Sequence, residues 1–231
     1  MTTTVITGAN KGLGFETARQ LVAAGHTVYI GARNEDNARR AAKELGALPL
    51  LIDVTDEASV QAAADLVDKE QGALDVLVNN AGIAGGAPPA SEFTGADMEA
   101  VLNTNLVGVV RVTHAFLPLL RRSTHGVVVN VGSGLGSFAR VHDPDRIESK
   151  VPALAYTASK AALAMLTVQY ARVCPELRVN VVDPGYTATD LNHFSGTQTV
   201  EEGAAPIVRA ALLGADGPTG AFFDPAGVAP W

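Results

Sequence analysis

Short apolar runs alternate with longer stretches of helical periodicity along the whole chain. The pattern predicts strands at Thr3–Thr7, Thr27–Ala32, Leu48–Asp53, Leu74–Asn79, Gly126–Val131 and Arg178–Asp183. Helices are predicted over Leu13–Ala24, Glu35–Leu45, Asp56–Glu70, Ala96–Leu120, Ala155–Val173 and Val200–Leu213, with Thr55 or Asp56 capping the third. Ala221–Asp224 is a further candidate, as an edge strand. The strands are continuous β-branched runs rather than apolar–polar alternations, which indicates burial on both faces. A strand–helix repeat of this kind implies right-handed crossovers. The expected fold is a single α/β domain over residues 1–231, a doubly wound, mostly parallel, seven-stranded sheet with helices on both faces. Loops are expected at 84–95, 134–152 and 185–199, each after a strand, where such sheets build their ligand sites.

Composition narrows the class. With 231 residues, 47% of them apolar, the chain can bury a sizeable core. Seventeen Lys and Arg against 24 Asp and Glu argue against a nucleic-acid partner. No apolar run reads as long enough to span a bilayer, so no membrane partner is expected. The start, Met1–Thr7, runs straight into a strand without the basic and apolar regions of a signal peptide. With one cysteine, Cys174, this suggests a cytoplasmic protein without a disulfide framework. Cys174 ends a helix before Pro175 and reads as a packing residue. His114, His142 and His193 lack metal-ligand spacing, and no metal site is expected.

Three segments carry candidate chemistry. Thr7-Gly8-Ala9-Asn10-Lys11-Gly12-Leu13-Gly14 joins the first strand to the first helix. Glycines there allow a tight turn and close approach to a pyrophosphate, favoured by the helix N-terminus. In NAD-binding units of this kind a carboxylate ends the second strand. Here that place falls at Ala32, followed by Arg33, with Lys11 in the turn nearby. Two cations suit an adenosine 2′-phosphate, which favours NADP(H) over NAD(H). Tyr156 and Lys160, at i and i+4, share one helix face, where an ammonium favours a phenolate. Ser133 ends a strand at the sheet's active edge, placed to hydrogen-bond a carbonyl oxygen. Asn105 lies inside a helix, where Asn is unfavourable, so a buried contact and plain exposure both stand.

Taken together, Thr7–Gly14, Asn79-Asn80-Ala81-Gly82, Asn105, Ser133, Tyr156 with Lys160, and Pro184-Gly185-Tyr186-Thr187-Ala188-Thr189 resemble the short-chain dehydrogenases/reductases, in that family's order. The Gly-Ala-Asn-Lys-Gly-Leu-Gly wording looks most like the NADPH-using carbonyl-reductase branch. The resemblance implies that Tyr156 is the general acid in reduction and the base in oxidation. It implies that Lys160 binds the nicotinamide ribose and lowers the Tyr156 pKa, and that Ser133 orients the carbonyl. Asn105 would hold a relay water leading to Lys160. For the cofactor it implies contacts from Gly8, Asn10, Lys11, Gly12, Leu13, Gly14 and Arg33, and Asp53 with Val54 at the adenine. Asn80, Ala81 and Gly82 would pack at the adenine-ribose side and brace the sheet. Pro184, Gly185, Thr187 and Thr189 would line the nicotinamide. The implied reaction is hydride transfer between NADP(H) and a small-molecule carbonyl or alcohol. A non-catalytic NADP(H)-binding sensor and an NAD-dependent alcohol dehydrogenase are the alternatives.

Ser133 and Tyr156 stand further apart than is usual in the family, and Arg140–Lys150 reads as the extra material. Its charge suggests a solvated excursion. A lid over the substrate mouth, or selection of polar substrates, is the functional reading. A larger insertion here accompanies monomers in the carbonyl-reductase branch, so dimer, tetramer and monomer all stay open. The polar segment Thr187–Thr199 is a candidate to order around substrate. Trp231 could close a pocket or meet another subunit.

Overall fold

The computed structural model describes residues 2–231. Its sheet has the order β3-β2-β1-β4-β5-β6-β7-β8. The strands are β1 (Thr3–Ile6), β2 (Thr27–Ala32), β3 (Leu48–Leu51), β4 (Val76–Asn79), β5 (Val127–Val131), β6 (Arg178–Val182), β7 (Phe222–Asp224) and β8 (Gly227–Val228). All pair in parallel except β7 with β8. The eighth strand is a two-residue return after the turn at Asp224, so the sheet exceeds the expected seven and β8, not β7, is the edge beyond β6.

The helices are α1 (Gly12–Ala23), α2 (Glu35–Leu45), α3 (Glu57–Gln71), α4 (Gly95–Leu102), α5 (Gly108–Leu120), α6 (Phe138–Val141), α7 (Leu154–Val173) and α8 (Val200–Ala211). Successive strand residues feed opposite cores, as the pleat requires. Ile6, Val28, Ile30, Val76, Val78, Val127 and Val129 pack with Leu21, Ala41 and Ile207 of α1, α2 and α8. Val5, Tyr29, Leu77 and Val128 pack with Val60, Val67, Val112, Phe116 and Ala171 of α3, α5 and α7. Both faces of the central strands are therefore covered, which is why those strands are mostly apolar. Cys174 is buried at the end of α7.

The expected single helix from Ala96 is instead α4 and α5 joined by a π-helical turn, Asn103–Val107. The stretch Gly95–Leu120 is, by length and hydropathy, apolar enough to cross a bilayer, contrary to the sequence reading. In the fold it buries Val101, Val109, Val112, Phe116, Leu119 and Leu120. Asp56, not Thr55, caps α3, its carboxylate accepting from Ala58 and Ser59 N–H.

The sheet order reverses direction between β1 and β4. Both the glycine turn after β1 and the Asn80–Gly82 segment after β4 open at that switch point, at the carboxyl ends of the strands.

Candidate active site

The glycine turn is built for close packing. Gly8 (φ +64°) and Gly12 (φ +58°) occupy the left-handed region. A Cβ on Gly14 would lie 2.4 Å from Asn80 Nδ2 and 2.6 Å from Gly8 O, so only glycine fits. Thr7 Oγ1 receives the Asn80 and Ala81 N–H at 3.1 and 3.0 Å. Asn80 Nδ2 donates to Thr7 O at 2.9 Å and Gly8 O at 3.0 Å. Asn80 and Ala81 thus brace the turn itself. Asn10 and Leu13 lie within the turn and at the first turn of α1. A dinucleotide pyrophosphate suits this turn, because its glycines bring the backbone close without side chains and helix α1 begins there.

Arg33 follows β2 exposed, near enough to Asp53 to depress its carboxyl. The larger cause of that depression is Thr55, whose hydroxyl and N–H both donate to Asp53 Oδ1. Val54 is buried against Gly108, at the head of α5. Lys11 directly precedes helix α1. Its ammonium pairs at 3.2 Å with Asp190, in the 3₁₀ turn Asp190–Asn192. Thr189 stands over the glycine turn, 3.7 Å from where a Gly12 Cβ would lie. The buried Thr187 hydroxyl donates to Pro184 O and Gly185 O, and Gly185 takes φ +80°. The Pro184–Asp190 strand end and turn therefore form one wall of the cleft and the glycine turn the other.

Helix α7 carries Tyr156 and Lys160. It is tied to the sheet through buried amides: Asn79 donates to Asn130 at 2.9 Å, and Asn130 to Thr167 of α7 at 2.9 Å. Ser133 ends β5 in extended backbone and caps the 3₁₀ turn Gly134–Gly136, receiving Leu135 N–H at 3.2 Å. Its hydroxyl lies near enough to the Tyr156 phenol to pull that group's pKa down, and Tyr156 is itself partly buried. Lys160 is buried; its Nζ donates to Val131 O at 2.8 Å and lies 5.5 Å from the Tyr156 ring centroid. Asn105 is buried by the π-helical turn. It receives Ile83 N–H at 2.9 Å and donates to Ile83 O at 2.9 Å and Ser159 Oγ at 3.0 Å. The contact reading of Asn105 holds over exposure. Gly82 separates it from Lys160: a Cβ there would sit 3.4 Å from Asn105 Oδ1 and 3.7 Å from Lys160 Nζ.

The electrostatics differ from the expectation for Lys160. Burial pushes the Tyr156 phenol up to about 12, with Asp183 adding to the rise and Ser133 opposing it. Burial pulls Lys160 down to about 8, against a smaller upward pull from Asp183. Lys160 Nζ faces the ring and a backbone carbonyl, and burial sets the direction of both shifts in this arrangement.

Two site residues escaped the sequence reading. Asp183 is 5% exposed between the site and the insert, and Arg140 is 4% exposed beside it. The insert is thus not a solvated excursion throughout, since its first residue is a buried cation. The available signal was a carboxylate ending the apolar strand just before Pro184-Gly185.

A doubly wound sheet with a glycine cradle at its switch point and a Ser–Tyr–Lys cluster facing it defines a dinucleotide-dependent enzyme. Residues 2–199 match the family model of the short chain dehydrogenases. The chain is 38% identical over 223 residues to the short-chain dehydrogenase anuI of Penicillium roqueforti, covering 91% of this chain and 88% of that protein. It is 34% identical over 279 residues to (+)-neomenthol dehydrogenase of Arabidopsis thaliana, covering 95% and 94%. The solved structure of NADPH-bound carbonyl reductase from chicken fatty liver matches with a TM-score of 0.86 at 28% identity, over 99% of this chain and 98% of that one. The protein belongs to the short-chain dehydrogenase/reductase family and is an oxidoreductase; the family's cofactor is a nicotinamide dinucleotide.

Proposed function

We propose that the protein is an NADPH-dependent reductase of an apolar ketone or aldehyde, running also in reverse as an alcohol dehydrogenase. The convergence of the Ser133 and Tyr156 hydroxyls, with Lys160 behind them, carries this reading. Two adjacent hydroxyls can hold one carbonyl oxygen between them. A phenol held at about 12 stays protonated at neutral pH, which suits it to give a proton to that oxygen as charge develops. Lys160, near 8, is predominantly an ammonium at neutral pH and adds positive potential beneath the ring. A bound nicotinamide supplies the hydride.

The preference for the 2′-phosphorylated cofactor rests on Arg33, exposed directly after Ala32, which holds the place where NAD-binding units put a carboxylate. The carbonyl reductase of similar structure is NADPH-bound, which agrees. The apolar substrate rests on Phe138, Tyr186, Leu191 and Phe194, exposed on the loops that follow β5 and β6. A relative named for neomenthol points the same way.

NADPH oxidation against a panel of cyclic ketones, aromatic aldehydes and sugar ketones tests the reading, with Arg33→Ala alongside. Turnover of apolar members is expected. Arg33→Ala is expected to weaken NADPH binding about 10- to 100-fold and leave NADH binding unchanged. Absence of turnover across the panel, or equal wild-type affinity for both cofactors, contradicts it.

A further inference from the structure

The insert Arg140–Lys150 has no assigned work, yet its first residue is among the most buried cations of the protein. Arg140 Nη1 donates to Asp183 Oδ2 at 2.6 Å, and Nη2 pairs with Asp224 Oδ2 of β7. Glu148 lies 3.8 Å from Nη1, and the guanidinium stands 5.6 Å from the Phe222 ring centroid. Asp183, in turn, reaches both loops of the site. Its Oδ1 receives the Gly185 N–H at 3.0 Å, and the Gly134 N–H lies near enough to its carboxylate to help hold that acid down. Gly134 directly follows Ser133, and Gly185 belongs to the Pro184–Thr189 wall. A Cβ on Gly134 would come within 2.6 Å of Glu148 Oε1 and 2.9 Å of Asp183 Oδ2, so the cluster is packed directly against that residue.

A buried carboxylate remains ionised only when paired and hydrogen-bonded. A guanidinium is always charged and forms such pairs without being lost to titration. We propose that Arg140 is a positioning residue: it holds Asp183 as the carboxylate that clamps the Gly134 and Gly185 amides, and so sets Ser133 against Tyr156. The inference rests on the catalytic reading above. It recasts the insert as a brace anchored behind the site. The C-terminus closes the brace, since Ser137 Oγ donates to Pro230 O at 3.0 Å and Ala139 N–H to Trp231 O at 3.1 Å.

The charged and titratable groups facing Asp183 are Arg140, Arg146 and Glu148 of the insert, Asp224 of β7, and Tyr156 and Lys160 of α7. Burial, with Glu148 adding to it, raises Asp183; the Gly185 amide and then Arg140, the one cation among these influences, oppose that rise. The experiment compares Arg140→Gln and Arg140→Lys with wild type in kcat, NADPH Kd and the pH profile of kcat. Arg140→Gln is expected to lose about 10- to 100-fold in kcat, with a smaller change in Kd. It should also gain a new acidic limb as Asp183 titrates. Arg140→Lys should recover most of the loss. Wild-type kcat and pH profile in Arg140→Gln overturn the proposal. Amide exchange at Gly134 and Gly185 in cofactor-free protein separates this from the catalytic reading. Lost protection in Arg140→Gln supports the clamp, and retained protection overturns it, whether or not the wild type turns over a carbonyl. Should Arg140→Gln not fold, the same exchange and kinetic measurements on Arg140→Lys decide, with wild-type protection and reduced kcat counting against the clamp.

Discussion

Lys160 is the residue on which sequence and structure differ most usefully. Spacing alone places its ammonium beside the Tyr156 phenol, and helix geometry honours that spacing. What spacing cannot say is where Nζ points along the face, and it points to Val131 O. Burial then dominates both groups, moving the phenol up and the ammonium down. A pH dependence of stability follows from the ammonium. Below about 8 both folded and unfolded chains carry the Lys160 proton, and burying it is a cost. Between about 8 and 10.5 the unfolded chain keeps a proton that the folded protein has released, so stability rises through that window. Urea unfolding of cofactor-free wild type and Lys160→Met, at pH about 7.5 and about 9.5, checks the sign. Relative to the variant, wild type should gain about 2 kcal/mol at the higher pH. A relative loss would contradict the burial. Tyr156 acts oppositely, losing stability only as pH climbs from 10 towards about 12, above the range used.

At the scale of elements, the π-helical turn Asn103–Val107 decides the site more than the long helices do. It interrupts the regular ladder between α4 and α5 and leaves Asn105 buried against Ile83 and Ser159. Asn105→Ala is expected to leave the Ile83 amide and carbonyl without partners and to cost about 1–3 kcal/mol, read as a lower urea midpoint. An unchanged midpoint would show that Asn105 holds nothing in place. The alternation of strands and helices was legible because each strand is apolar on both faces and each helix is periodic. Asn34 and Asp56 cap α2 and α3 with side-chain acceptors, and such caps mark helix starts. The π-helical turn was not legible, because one extra residue per turn leaves the apolar pattern of Gly95–Leu120 unbroken. Nor was β8, whose two residues carry no periodicity at all.

At the scale of the molecule, one sheet separates two cores and leaves the strand ends free for chemistry. The glycines of the turn, Gly8, Gly12 and Gly14, were readable because each answers a backbone demand, whereas Asn80, Pro184, Gly185 and Thr189 were reached through the family resemblance. The pairing of Lys11 with Asp190 was not, since it joins loops 179 positions apart through exposed side chains. Burial of Arg140 was hidden for the same kind of reason: its carboxylates come from β7 and the end of β6, and a local window sees only a charged run. The central claim is that Tyr156 gives and takes the proton at a carbonyl oxygen. It is tested most directly by Tyr156→Phe, with NADPH binding and carbonyl turnover measured on the same preparation. The account predicts an unchanged NADPH Kd with kcat reduced at least about 100-fold. Turnover at the wild-type rate by a variant that still binds NADPH would contradict it.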